Sequence, residues 1–180
     1  AKNFPEGHRR RTAKYICGDM NTSIIKTAKG RTIVVQHDTQ NPNPYSRANV
    51  IKGTKGVFSG YPNRIYLEGR SPQEHAWETD LTKYYEEFEH PLWKKVEAIA
   101  AKLPAEGTRG HGGMDFVMRW RIIQCLREGL PLDQDVYDAA AWSCISELSE
   151  KSVAQDGAPM EIPDFTRGAW EKTAPLGVVS

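Results

Sequence analysis

The apolar residues of this chain change their period once, near Asp80, and that change limits the folds open to it. Ahead of it, short β-rich runs alternate in steps of two and are separated by turn residues. Behind it, apolar residues recur every three or four positions, the spacing of helices. Strands first and helices later predict an α+β domain, a mostly antiparallel open sheet with helices packed on one face. A length of 180 residues, 39% hydrophobic and 26% charged, suffices for one sizeable core and is short for two ordinary domains, so a single domain over 1–180 is expected.

In the first part, residues 23–27 and Thr32–Asp38 flank Ala28-Lys29-Gly30-Arg31, where Gly30 suits a hairpin turn. Alternation gives the second strand an apolar face of Ile33, Val35 and His37 and a mixed face of Thr32, Val34, Gln36 and Asp38. Asn41-Pro42-Asn43-Pro44 breaks the ladder, a strand resumes over 45–52, and Gly53-Thr54-Lys55-Gly56 ends it. Residues 57–59 and 64–67 read as two more short strands.

In the second part, one stripe holds Leu81, Tyr84, Tyr85 and Phe88, and after the break at His90-Pro91 another holds Leu92, Val96, Ile99 and Leu103. Residues 114–126 predict a helix with Val117, Trp120, Ile123 and Cys125 or Leu126 inward, ended near Gly129-Leu130-Pro131. A last helix, about 134–155, carries Val136, Ala140, Ser143, Cys144 and Leu148 inward and stops at Gly157 and Pro159.

Charge and cysteine usage remove several function classes. Lys and Arg total 24 against 23 for Asp and Glu, so no net field draws the chain to nucleic acid or an anionic membrane. The one basic cluster, His8-Arg9-Arg10-Arg11 with Lys14, lacks interleaved aromatics for base stacking and reads as a solvated arm. Cys17, Cys125 and Cys144 are an odd set without C-x-x-C spacing, so they read as core thiols rather than a disulfide framework or a zinc site. No stretch approaches the ~20 apolar residues of a bilayer span, and no hydrophobic signal region opens the chain, so no membrane partner is expected. The start at Ala1, in a polar stretch and without an initiator Met, suggests a segment of something longer.

Two stretches carry candidate chemistry. Gly107-Thr108-Arg109-Gly110-His111-Gly112-Gly113-Met114-Asp115-Phe116 is a glycine-dense entry to a helix, able to bring backbone amides close to a ligand yet matching no phosphate-binding fingerprint. Within it, His111 and Asp115 are four apart and share a face if the helix starts early enough, as an imidazole and its orienting carboxylate would. The alternative is a helix-start His with a capping Asp, and no third ligand supports a metal. In Pro42-Asn43-Pro44-Tyr45-Ser46-Arg47, stiff prolines precede a phenol and a guanidinium that alternate onto one side of a strand, an arrangement suited to a hydrogen-bonding ligand such as a sugar. Asp133, Asp135 and Asp138 surround a helix start and read as capping residues rather than a glycosidase acid pair. The segment from Ile162 to Trp170 is aromatic-bearing and can dock on the core or line a cleft.

As an ordered set, Gly18-Asp19-Met20-Asn21, Pro44-Tyr45-Ser46-Arg47, Gly53-Thr54-Lys55-Gly56, Gly110-His111-Gly112-Gly113-Met114-Asp115-Phe116, Asp135-Val136-Tyr137-Asp138 and Ile162-Pro163-Asp164-Phe165-Thr166-Arg167-Gly168 resemble the C-terminal half of glycoside hydrolase family 109, a branch of the Gfo/Idh/MocA oxidoreductases. The family pattern usually reads Pro-Arg-Pro before the tyrosine, where this chain has Asn43. The resemblance implies a two-domain parent whose N-terminal Rossmann domain, absent here, holds NAD. It also implies that the open sheet face meets another subunit in a homo-oligomer and that the substrate is a carbohydrate. Terminal N-acetylgalactosamine would be released through NAD-linked oxidation at C3, elimination, addition of water and re-reduction. Tyr45 and Arg47, with His111 and Asp115 as neighbours, are the expected sugar-binding residues; no catalytic residue is assigned and this chain alone is expected to be inactive. The alternatives are the C-terminal domain of an NAD(P)-dependent sugar or polyol dehydrogenase, and a stand-alone binding or dimerisation module.

Overall fold

The computed structural model describes residues 3–14, 18–103 and 110–174. They belong to two compact units, Ala1–Ala48 and Asn49–Ser180. The fold class is α+β, as the change of period predicts, but the strands form two small antiparallel sheets rather than one open sheet.

The first unit is built on a hairpin of β1, Met20–Lys26, and β2, Thr32–Asp38. Their register runs from Met20 opposite Asp38 to Lys26 opposite Thr32. β1 begins earlier than the apolar pattern suggests because polar side chains also pair, with Gln36 Nε2 donating to Thr22 Oγ1 at 3.1 Å. The turn closes through Thr27 N–H to Arg31 O at 2.8 Å, and the base through Thr39 N–H to Asp19 O at 3.1 Å. β2 is exposed along its whole length, including the face that alternation marked as apolar.

The basic arm is a short 3-10 turn, Arg9–Arg11, capped by His8. Phe4 stacks on the His8 ring at 4.8 Å and lies 5.3 Å from the Arg10 guanidinium. Its aromatic face is thereby engaged within the arm itself.

The second unit opens with β3, Val50–Lys52, β4, Gly56–Ser59, and β5, Arg64–Leu67, paired antiparallel in that order. β3 starts five residues after Tyr45. Ser46 Oγ accepts the Ala48 N–H at 3.0 Å, and Ala48 turns left-handed at φ 45°, which together prevent residues 45–49 from entering the ladder. The sheet is extended by a bridge in which Ile65 and Glu78 exchange backbone hydrogen bonds, both at 2.9 Å.

Among the described residues four α-helices follow: α1, Thr82–Phe88; α2, Pro91–Ala100; α3, Met114–Glu128; and α4, Val136–Val153. Four of their boundaries have a clear chemical cause. The Asp80 carboxylate accepts from Thr82 N at 3.0 Å and from Thr82 Oγ1 at 2.7 Å at the start of α1. His90 Nδ1 accepts the Leu92 N–H at 3.0 Å and Pro91 occupies the first turn of α2. α3 stops at Gly129, which is left-handed. Asp135 and Asp138 form a reciprocal capping box on α4, the structural role read for them in the sequence.

Among the described residues, the buried apolar side chains are Leu81, Tyr84, Val96 and Cys125, of which Val96 and Cys125 are fully buried, and Ser59 is buried as well. Cys125 is a core thiol as expected and Cys144 is half-buried, while Cys17 lies outside the described residues. Several residues assigned inward are exposed: Tyr85, Phe88, Leu103, Ile123, Leu126 and Val136. For α3 the reason is angular. At ~100° per residue, Trp120 and Cys125 fall within about 80° of Val117, whereas Ile123 lies about 120° and Leu126 about 180° away from it around the helix.

Candidate functional site

The proline-bracketed loop between β2 and β3 is organised by one carboxylate. Asp38 Oδ1 accepts the N–H groups of Gln40 at 3.3 Å and Asn41 at 3.1 Å. Asp38 Oδ2 accepts the side-chain amides of Asn41 at 3.0 Å and Asn43 at 2.9 Å. These donors, the Asn41 amide foremost, hold the Asp38 pKa below its usual value.

Beyond Pro44, Arg47 Nε donates to the Tyr45 hydroxyl oxygen at 2.8 Å, and the guanidinium carbon lies 6.0 Å from the ring centre. The phenol is 72% exposed. Tyr45 and Arg47 therefore do converge, but through a folded loop and not through strand alternation. An oxygen that accepts from a guanidinium is polarised to donate its own proton more strongly to a ligand oxygen. Asp38 was absent from the sequence candidates. Its only signal was an Asp followed by Asn41 and Asn43, the pattern of an Asx turn.

In the second unit, the Gly110–Gly113 turn enters α3, with Gly112 at φ 69° and Gly113 at φ 94°. Glycine is the residue type that adopts these angles without strain. His111 is left-handed too, at φ 50°, so it precedes the helix instead of belonging to it. That turn folds the imidazole back, and Nδ1 comes within 3.0 Å of Asp115 Oδ2. The expected pair forms, then, although the shared helical face is not its cause. Asp115 does not cap α3, whose N-cap is Gly113 without a side-chain bond. Gly107, Thr108 and Arg109 of the same motif lie outside the described residues.

Beside this turn, α2 and α3 enclose an open groove of about 280 Å³, lined by Trp93, Val96, Glu97, Gly112, Gly113 and Phe116 among others. No periodic pattern marks it, because its walls come from two helices and a turn. Tyr45 and Arg47 belong to the first unit and His111 and Asp115 to the second.

Three further carboxylates have structural duties. Asp133 takes Arg121 in a two-point ion pair at 2.8 and 3.0 Å, which raises the Arg121 pKa. Glu78 accepts from Lys83 at 2.8 Å and from the Tyr84 hydroxyl at 2.5 Å, and these bonds, Lys83 first, lower its pKa. In the tail, Asp164 accepts from Thr166 N at 2.9 Å and Gly168 N at 2.6 Å, closing a local turn.

No group of three His, Cys, Asp or Glu side chains suited to a metal occurs among the described residues. Likewise, none of their helices is long and apolar enough to cross a membrane. All strand pairings among them are antiparallel, and the described element before the Gly110–Gly113 turn is helix α2, not a strand. These residues do not fit a dinucleotide, which is held where a parallel strand runs through a glycine-rich turn into a helix.

The class so defined is an antiparallel α+β domain with its chemistry-bearing side chains on loops. Its family is specific. The chain belongs to glycosyl hydrolase family 109: that family's C-terminal domain matches residues 1–172. It is 55% identical over 179 residues to a glycosyl hydrolase family 109 protein of Shewanella amazonensis, covering 99% of this chain. It is also 54% identical over 180 residues to a Shewanella oneidensis protein named alpha-N-acetylgalactosaminidase. In both cases the chain spans 38% of the relative's length.

Proposed function

We propose that this domain supplies sugar-contacting residues to an NAD-dependent glycosidase that removes terminal N-acetylgalactosamine. Family membership and the name of the Shewanella oneidensis relative support the substrate class. The observation that carries the reading is the exposed pair of Tyr45 and Arg47, joined at 2.8 Å on a loop stiffened by Pro42 and Pro44. A pre-set phenol and guanidinium meet sugar hydroxyls with little ordering cost. His111, paired with Asp115 at 3.0 Å, is a separate candidate sugar contact carried by the second unit.

NAD belongs in this reading to the part of the parent protein outside this chain, since the described residues do not fit it. The chain's own residues bind and orient the sugar; hydride chemistry is the cofactor's. The isolated chain is accordingly inactive.

The β1–β2 ribbon serves a second copy of the protein in this reading. Ile24 and Val34, opposite each other, are 76% and 62% exposed. A two-stranded ribbon with apolar residues bare to water gains by association.

The test joins this chain to its N-terminal portion and assays N-acetylgalactosaminide cleavage with NAD. Cleavage, weakened through a higher KM on Tyr45→Phe, is the expected result. Dehydrogenation of a free sugar without cleavage would replace the reading with that of a sugar dehydrogenase. Calorimetry of the isolated chain is expected to show no NAD binding, and sedimentation of the intact protein to show an oligomer that Ile24→Lys weakens.

A further inference from the structure

We infer that Asp38 and Asn43 are positioning residues for Tyr45, setting the direction in which its loop leaves β2; this rests on the reading of Tyr45 as a sugar contact. The segment between them is already stiff. Pro42 and Pro44 fix their own φ, and Asn41 and Asn43, each preceding a proline, are confined to extended backbone. A stiff segment still needs an anchor, because a small rotation at its root swings its tip through several ångströms.

Asp38 is that anchor. It is the last residue of β2 and accepts two main-chain and two side-chain hydrogen bonds from Gln40, Asn41 and Asn43. The Asn43 bond matters most for direction, since it ties the residue between the two prolines back to the strand end at 2.9 Å. Asn43 N–H also donates to Asn41 O at 2.8 Å, so this residue is held by both its main chain and its side chain. Tyr45 follows two residues later. Each of these bonds is exposed and worth little to overall stability, so their consequence is order in the loop rather than persistence of the fold.

A residue that orders a binding loop acts on substrate affinity and leaves the chemical step unchanged. The test uses the full-length enzyme with NAD and a chromogenic N-acetylgalactosaminide. Asp38→Asn and Asn43→Ala are each expected to raise KM by about three- to ten-fold with kcat within about two-fold. The exchange Asp38→Asn with Asn43→Asp restores a donor–acceptor pair between these positions and is expected to recover most of the lost affinity. In a Tyr45→Phe background, Asp38→Asn should add little, since both act through one contact.

The outcomes separate the two claims. If Tyr45→Phe raises KM while Asp38→Asn and Asn43→Ala leave it unchanged, the positioning role is overturned and the sugar contact stands. If Tyr45→Phe changes nothing, the contact fails and the positioning role falls with it. A KM increase in the single variants that the exchange does not recover, or that adds in full to Tyr45→Phe, also overturns the inference.

Discussion

Gly53 and Gly56 bracket one turn, look equivalent in sequence, and are expected to respond oppositely to alanine. A Cβ built on Gly56 would sit 2.4 Å from Leu67 Cδ2, 2.6 Å from Tyr66 O and 3.3 Å from Leu67 Cα. The leucine methyl can rotate away, but the carbonyl oxygen and the Cα are backbone of the paired strand. To reach an ordinary contact of roughly 3.2 Å the carbonyl must retreat by about 0.6 Å, which strains the β4–β5 ladder. At Gly53 the nearest atom is Gly56 O at 3.7 Å, an ordinary contact. Alanine there removes unfolded-state freedom at no steric cost and is worth up to about 1 kcal/mol in favour of folding. Gly56→Ala is expected to cost about 2–3 kcal/mol, the upper range for overpacking. With a urea m-value of about 2 kcal/mol/M, that moves the unfolding midpoint down by about 1 M or more. Urea titrations of the two variants, followed by circular dichroism, measure the difference. Leu67→Ala in the Gly56→Ala background should recover only part of the loss, because the carbonyl clash remains. Equal midpoints for Gly53→Ala and Gly56→Ala would refute the packing argument.

Three further outcomes follow from the caps and ion pairs. Asp135→Ala removes the side-chain half of the α4 capping box, which accepts the Tyr137 and Asp138 N–H groups, and is expected to cost about 1 kcal/mol, a fall of roughly 2–4 °C in melting temperature by scanning calorimetry. Asp133→Asn leaves the half-buried Arg121 without its two-point partner and is expected to cost about 1–3 kcal/mol in the same measurement. Glu78 has its pKa held below the ordinary carboxylate value by Lys83 and Tyr84, so its contribution is present above the unfolded pKa and lost as pH falls through the folded one. Acid titration of Glu78→Gln should therefore lack the part of the destabilisation that sets in as pH falls below the ordinary glutamate range.

Local chemistry was legible wherever a residue acts on its near neighbours. Thr32–Asp38 and Arg64–Leu67 were bounded correctly from β-rich runs and turn residues, and the start of α2 from Pro91, while α4 begins at Val136, two residues after the expected 134 and directly behind its cap Asp135. The side of each helix that faces inward was less legible. Ile123 and Leu126 are strongly apolar, yet they sit away from Val117 around the helix, where nothing among the described residues covers them. Hydrophobicity ranks a residue's wish to be buried; the helical angle decides which neighbours can oblige. The division into two sheets was illegible for a related reason. Residues 45–49 have ordinary strand propensity, and only the Ser46–Ala48 bond and the left-handed Ala48 stop the ladder there.

The candidate site shows the same limit from the side of function. Tyr45 with Arg47, and His111 with Asp115, were each paired in the sequence by periodicity, two residues apart for a strand and four for a helix. Neither pair lies wholly on the element that motivated it, since Tyr45 and Arg47 sit on a loop and His111 precedes the helix that carries Asp115, yet both pairs form, at 2.8 and 3.0 Å. Residues two to four apart meet in several backbone conformations, so proximity survives an error in the element. Direction does not survive it, because a loop and a strand that share the same contact aim it differently. What sets direction at Tyr45 is Asp38, seven residues earlier, through bonds to Asn41 and Asn43 that no periodic pattern encodes. A polar residue at a strand end, followed within five positions by side-chain amides and prolines, is therefore the feature that predicts where such a loop points.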